Sequence, residues 1–152
     1  MSETLPKDPE QLARACVDVL WAQDRASQTL GMVLESVKQG GAQVSMVIGD
    51  KMVNGLGMAH GGFIFMLADS AFAFASNSRN NFAVAQFCNV AFLCPAKQGD
   101  RLTATAKECV RSGRTGVYDV SVSNQAGEPI AEFRGHSRVI PGTFFQVPDE
   151  VN

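Results

Sequence analysis

Between Met52 and Asn77 the chain carries a single charge, Asp69, bracketed by Lys51 and Arg79. Phe63, Met66, Leu67, Phe72 and Phe74 leave this stretch hardly any polar face, which predicts a helix from His60 to about Asn77, buried nearly all round. Upstream, Asp8-Pro9-Glu10-Gln11 is a helix start, with Asp8 as N-cap and Pro9 in the first position. Leu12, Cys16, Val19 and Leu20 continue at helical spacing, so a helix covers roughly 9 to 23. Arg25 to Leu30 adds a short helical turn closed by Gly31. Met32 to Val37 and Ala42 to Ile48 predict two strands of a hairpin, split by Lys38-Gln39-Gly40-Gly41, and Asp50 to Met58 predicts a loop.

After the long helix the pattern changes from a helical period to alternation. Ala83 to Leu93 is apolar and β-branched and is ended by Pro95. Leu102 to Val110 alternates, with Leu102, Ala104 and Ala106 on one face and Cys109 a candidate fourth member. Val117 to Ser123 and Ile130 to Val139 follow, separated by turns at Gln98–Asp100, Ser112–Gly113 and Asn124–Gly127. Strands of this length joined by short turns predict an antiparallel meander, with a loose tail from about Pro141. A hairpin, one long apolar helix and then strands that can curl around it make an α+β hotdog fold, a single domain over residues 1–152.

Composition narrows the classes. A net charge of -2 without a basic patch argues against nucleic acid. The polar start MSETLPKDPEQ lacks a signal peptide's apolar core, and the one long apolar run holds Asp69 and opens on two glycines, so neither export nor a membrane span is expected. Cys16, Cys88, Cys94 and Cys109 show no paired spacing and no metal spacing with His60 or His136. Free thiols in a reducing cytoplasm, and no metal, are the expectation.

The runs Asn54-Gly55, His60-Gly61-Gly62 and Leu67-Ala68-Asp69-Ser70-Ala71-Phe72-Ala73 resemble the phenylacetate-degradation (PaaI-type) acyl-CoA thioesterases. Further matches are Phe92-Leu93-Cys94-Pro95, Gly99-Asp100, Thr115-Gly116-Val117-Tyr118-Asp119 and Phe133-Arg134-Gly135, so the resemblance spans about residues 25 to 140. It implies hydrolysis of an acyl-CoA without a cofactor, coenzyme A being part of the substrate, by a homodimer or dimer of dimers with shared sites. By that resemblance Gly61 supplies the carbonyl-polarising N–H, Asp69 is the catalytic carboxylate, and Asn54 and His60 match site positions. Relatives often carry Arg where this chain has Cys94, a departure at a position that could touch the nucleotide.

The residues support this chemistry on their own terms, with alternatives. A helix N-terminus offers unpaired N–H groups to a developing oxyanion, and Gly61 and Gly62 would let an acyl group approach them; the same glycines also permit close packing. A carboxylate on so apolar a helix needs a task or a partner, and Asp69 could be nucleophile or general base. Asn54 is either a thioester-holding amide or a turn former before Gly55, and His60 either catalytic or a helix cap. Ser70 could bond the substrate or its own helix. Arg111, Arg114 and Thr115 could bind coenzyme A phosphates or be a solvated turn. Phe63, Phe65, Phe72 and Phe74 are divided between acyl pocket and core. Gly61 and Asp69 are eight residues apart, about 12 Å along one helix, too far for one thioester carbon to meet both. Two antiparallel helices across a two-fold axis would bring them together. Two other readings remain: a non-catalytic acyl-CoA binder, for which Asp69 has no use, and a dehydratase built on His60.

Overall fold

The computed structural model describes residues 5–147. Its elements run α1 (Pro9–Gln23), α2 (Arg25–Thr29), β1 (Val33–Lys38), β2 (Gly41–Val47), a 3-10 turn (Asp50–Met52), α3 (Gly61–Ser76), β3 (Phe82–Phe92), β4 (Arg101–Ser112), β5 (Thr115–Ser123) and β6 (Pro129–Ile140). The predicted start of α1 is observed: the Asp8 carboxylate accepts from the N–H groups of Glu10 and Gln11. Gly31 ends α2 at φ +70°, the left-handed conformation that favours glycine.

All six strands form one antiparallel sheet in the order β1-β2-β4-β5-β6-β3. This corrects the meander: of the four strands after α3 only β4, β5 and β6 follow one another, and β3 crosses to the far edge to pair with β6. The turn that leads into β3 is held locally. The amide of Asn77, the C-cap of α3, donates to Ala83 O and its oxygen accepts from Ala83 N–H. That clamp turns the chain so that β3 returns along α3.

The sheet wraps α3. Ile64, Leu67, Ala68, Ala71, Phe72, Phe74 and Ala75 are buried with Val44, Met46, Leu102, Ala104, Ala106, Tyr118, Val120 and Phe133. A Cβ on Gly135 would lie 2.8 Å from the Phe72 ring, so only glycine lets Phe72 seat on β6. The wrapping is incomplete, which corrects the helix buried all round. Gly62, Phe65, Met66, Asp69 and Ala73 form a stripe at helical spacing that a single chain leaves partly open.

Three smaller expectations also change. Lys38 and Gly41 pair with each other as strand residues, so the hairpin loop is only Gln39-Gly40. Cys109 is not the fourth inward member: alternation from Leu102, Ala104 and Ala106 continues to Glu108, which accepts from Tyr118 Oη at 3.0 Å and Arg79 Nη2 at 2.9 Å, and a register shift follows between Glu108 and Val110. The tail is not loose as far as it is described. Asn80 and the Phe145 backbone exchange two hydrogen bonds, and the Phe82 and Phe144 rings stack edge-on at 4.8 Å. Residues 148–152 lie outside the described residues.

Candidate active site

The N-terminus of α3 is set by a small closed loop. Asn54 Oδ1 accepts from the N–H groups of Leu56 and Met58 at 2.9 and 3.1 Å, and Asn54 N–H donates to Met58 O at 2.7 Å. Val53 bridges to Ala59, and Ala59 N–H donates to Ala96 O, which docks the loop on the segment after β3. Asn54 is therefore the turn former that its position before Gly55 suggests. Its Nδ2 has no partner among the described residues and stands at the wall of a cleft of about 410 Å³ lined by Met58, Gly61, Ile64, Phe92 and Leu93.

His60 and the two glycines divide their work. His60 is the N-cap of α3, and its Nδ1 accepts from Gly62 N–H at 2.9 Å. An accepting Nδ1 belongs to the neutral ring with its proton on Nε2, an assignment made from heavy-atom geometry. With Gly62 N–H engaged, and Phe63 N–H donating to His60 O, the donor left over is Gly61 N–H, in the cleft wall. A Cβ on Gly61 would lie 3.0 Å from Phe92 Cζ, so a side chain there would press on the ring that lines the cleft.

Asp69 lies two turns further along, on the open stripe. No hydrogen bond among the described residues offsets its burial, and desolvation raises its carboxyl above the usual 3.8. On β3, burial, and then the charge of Asp69, push the Cys88 thiol upward. The carboxylate is thus held less stable as an anion than in water, which makes it a better proton acceptor than an ordinary aspartate.

The remaining predicted residues are dispersed. Ser70 points away from the open stripe and is buried against α2. It lies 2.9 Å from Ser27 Oγ, which donates to Asp24 Oδ2 at 2.6 Å; Asp24 accepts only, so Ser70 is the donor to Ser27. It joins neither its own helix nor the cleft. Phe72 and Phe74 are fully buried core, while Phe63 and Phe65 are partly open. Arg111, Arg114 and Thr115 are exposed at the β4–β5 turn, where Arg114 Nε donates to Val139 O. That turn lies at the end of the sheet where β3 begins, whereas Gly61 meets Phe92 where β3 ends, so one chain does not bring the arginines and Gly61 together. Phe92 and Cys88 are the site neighbours that periodicity alone does not reveal. Only the return of β3 along α3 brings them there, and the Phe92-Leu93-Cys94-Pro95 run is the one sequence signal that pointed near them.

The family model described as the thioesterase superfamily matches residues 56–131. Acyl-coenzyme A thioesterase PaaI of Escherichia coli is 43% identical over 124 residues, covering 82% of this chain and 89% of the relative. The structure of the E. coli PaaI protein from the phenylacetic acid degradation operon superposes with a TM-score of 0.88 at 40% identity, over 90% of this chain and 99% of that one. A Streptococcus mutans protein, smu.793, solved bound to acetyl CoA, is similar at 29% identity and a TM-score of 0.71, over 74% of this chain and 90% of its own.

Proposed function

The chain belongs to the PaaI-type acyl-CoA thioesterases of the thioesterase superfamily, and from that premise we propose that it hydrolyses aryl-acetyl or medium-sized acyl-CoA to the free acid and coenzyme A. The observation that carries the reading is the division of labour at the start of α3. His60 takes up Gly62 N–H and leaves Gly61 N–H free in a cleft that Asn54 also lines, its amide nitrogen without a partner among the described residues. The thioester oxygen lies at Gly61 N–H, which stabilises the developing oxyanion; one such donor is commonly worth about 10²–10³ in rate.

Asp69 either takes a proton from a water that attacks the carbonyl carbon or attacks that carbon itself. In the first case the tetrahedral centre collapses with cleavage of the C–S bond, and the coenzyme A thiolate takes the proton that Asp69 removed from the water. In the second, the collapse leaves an acyl–Asp69 anhydride, which a water hydrolyses to the free acid and the restored carboxylate, the thiolate taking the proton that this water releases. No cofactor enters. His60, with Nδ1 engaged by the backbone, orients the helix start and is a poor candidate for a dehydratase base.

The site is shared between two chains. Gly61 and Asp69 lie about 12 Å apart along α3. The partly open stripe of Gly62, Phe65, Met66, Asp69 and Ala73 asks for a cover. So does β3, an eleven-residue strand with one strand partner among the described residues and with exposed Val84, Phe87 and Phe92. A two-fold axis that pairs β3 with its copy also sets the two α3 helices antiparallel, bringing Gly61 of one chain to Asp69 of the other. The same operation carries the partner's Arg111, Arg114 and Thr115 to the Gly61 end, where they meet the phosphates of coenzyme A. A dimer of dimers would leave these sites intact. Four free cysteines support a reducing, cytoplasmic setting, and no helix among the described residues is long and apolar enough to cross a membrane.

The test is thiol release across a panel of acyl-CoAs by the wild type and Asp69→Asn. Turnover of at least one aryl-acetyl or medium-chain thioester is expected, with kcat of the variant down at least about 10²-fold. A folded variant as fast as wild type would leave Asp69 without a role.

A further inference from the structure

One apolar groove is not used by the chemistry above. It has a volume of about 460 Å³ and runs between α1 (Val19, Leu20, Gln23), the second half of α3 (Ala73, Asn77), the start of β3 (Phe82, Val84) and the segment after β6 (Thr143, Phe144). Ala73, in the groove wall, is the residue one turn beyond Asp69 on the same face of α3, about 6 Å along the axis. Resting on the thioesterase reading, we propose that this groove receives the acyl group of the substrate, and that α1 and residues 140–144 set which acyl groups are accepted.

Three observations select the acyl end over the rest of the thioester. The groove walls are almost wholly aliphatic and aromatic, and Gln23, Asn77 and Thr143 are the only polar members. Asn77 has already committed its amide to Ala73 O and the Ala83 backbone, so little is left to satisfy the amides of a pantetheine arm. The Gly61 cleft, by contrast, offers Gly61 N–H and the amide nitrogen of Asn54. The groove is also built rather than incidental: Asn80 pairs twice with Phe145, Phe82 N–H donates to Gly142 O, and Phe144 stacks on Phe82, which holds the outer wall in position. Its size suits a phenyl ring or a chain of several carbons. The walls contributed by α1 and by residues 140–144 lie outside the 56–131 region matched by the family model. The shared chemistry and the acyl preference therefore reside in different parts of the chain.

The readout is a ratio, kcat/KM for phenylacetyl-CoA and octanoyl-CoA relative to acetyl-CoA, whose methyl group ends near Asp69. Val19 is 41% exposed on α1 and Gln23 follows it on the same face, so Val19→Trp and Gln23→Trp each narrow the groove from a position that tolerates bulk. Each is expected to lower both ratios at least about 10-fold, and Phe144→Ala to raise the octanoyl ratio. Melting temperature and oligomeric mass are measured alongside. Unchanged ratios in both tryptophan variants would overturn the proposal. So would equal losses on all three substrates, which is the pattern of a groove that takes the pantetheine arm or seats a second chain. Failure of the thioesterase reading is separate and visible first: the wild type would then release thiol from none of the three.

Discussion

Replacing Gly61 by proline removes one hydrogen-bond donor from the site and changes little else. Gly61 is the first residue of α3, where an N–H has no intrahelical acceptor and where proline is well tolerated. A proline asks the preceding residue to be extended, and His60 already is, at φ -67° and ψ 132°. The ring does meet Phe92, since a Cβ on Gly61 lies 3.0 Å from Phe92 Cζ. That side chain is 53% exposed, however, and its far end can shift. A compatible proline is worth about 0.4–1 kcal/mol to stability through the unfolded chain, enough to offset a small displacement of Phe92. The catalytic loss is larger: without the oxyanion donor, kcat is expected to fall about 10²–10³-fold, or about 2.7–4 kcal/mol of transition-state stabilisation. Gly61→Ala is the matched control, because it brings the same Cβ against Phe92 and keeps the N–H. Thiol release from the best acyl-CoA and thermal melts of the three proteins decide the matter. If the proline variant melts like wild type and turns over as fast as Gly61→Ala, the Gly61 N–H is not the carbonyl-polarising group.

The same variant tests the shared site: Gly61→Pro and Asp69→Asn chains, unfolded together and refolded in equal amounts, should form about half mixed dimers with one intact site each and recover about a quarter of wild-type activity. No recovery would mean that each site is built within one chain. For Asp69, burial raises the carboxyl pKa, and the proposed mechanism uses the ionised form, so kcat should fall on acidification at a pH above the ordinary carboxylate range. Stability runs the other way: the folded chain keeps a proton that the unfolded chain has released, so stability drops as pH rises from the unfolded to the folded pKa and stays lower above it. Asp69→Asn should therefore melt higher than wild type at neutral pH, with the gap closing on acidification; a lower melting temperature at neutral pH would contradict the desolvation argument. Arg114→Ala should raise KM for acyl-CoA more than for a truncated acyl-pantetheine thioester, and equal effects on both would mean that Arg114 acts through its bond to the Val139 carbonyl.

Much of this architecture is written in short-range pattern. Asp8-Pro9 starts α1 because a carboxylate and a preset φ satisfy the first turn whatever surrounds it. The run from His60 to Asn77 reads as a helix because an unbroken apolar stretch of this length is too long for one buried strand, and its lone carboxylate stands out against that background. Alternation at Leu102, Ala104 and Ala106 fixes which face of β4 meets the core, since a strand's side chains change sides at every residue. The catalytic candidates Gly61 and Asp69 were legible for the same reason: their chemistry depends on where they sit along one helix.

What the pattern could not supply is every pairing between distant segments. Nothing within Phe82–Phe92 says that it lies against β6 rather than β4, because alternation specifies a face and not a neighbour; the clamp between Asn77 and Ala83 fixes the turn out of α3, and the pairing with β6 is seen only in the sheet. Which glycine N–H is free depends on the rotamer of His60, whose ring closes on Gly62. Ser70 sits next to Asp69 in the chain yet faces Ser27, because consecutive helical residues point about 100° apart and α2 covers that side. The hairpin bearing Arg111 and Arg114 is remote from Gly61 within one chain, a separation set by strand order alone. Local periodicity is a property of a few consecutive residues and survives in the sequence; the neighbours that complete a site are contributed by residues tens of positions away, and they are fixed only when the sheet closes around α3.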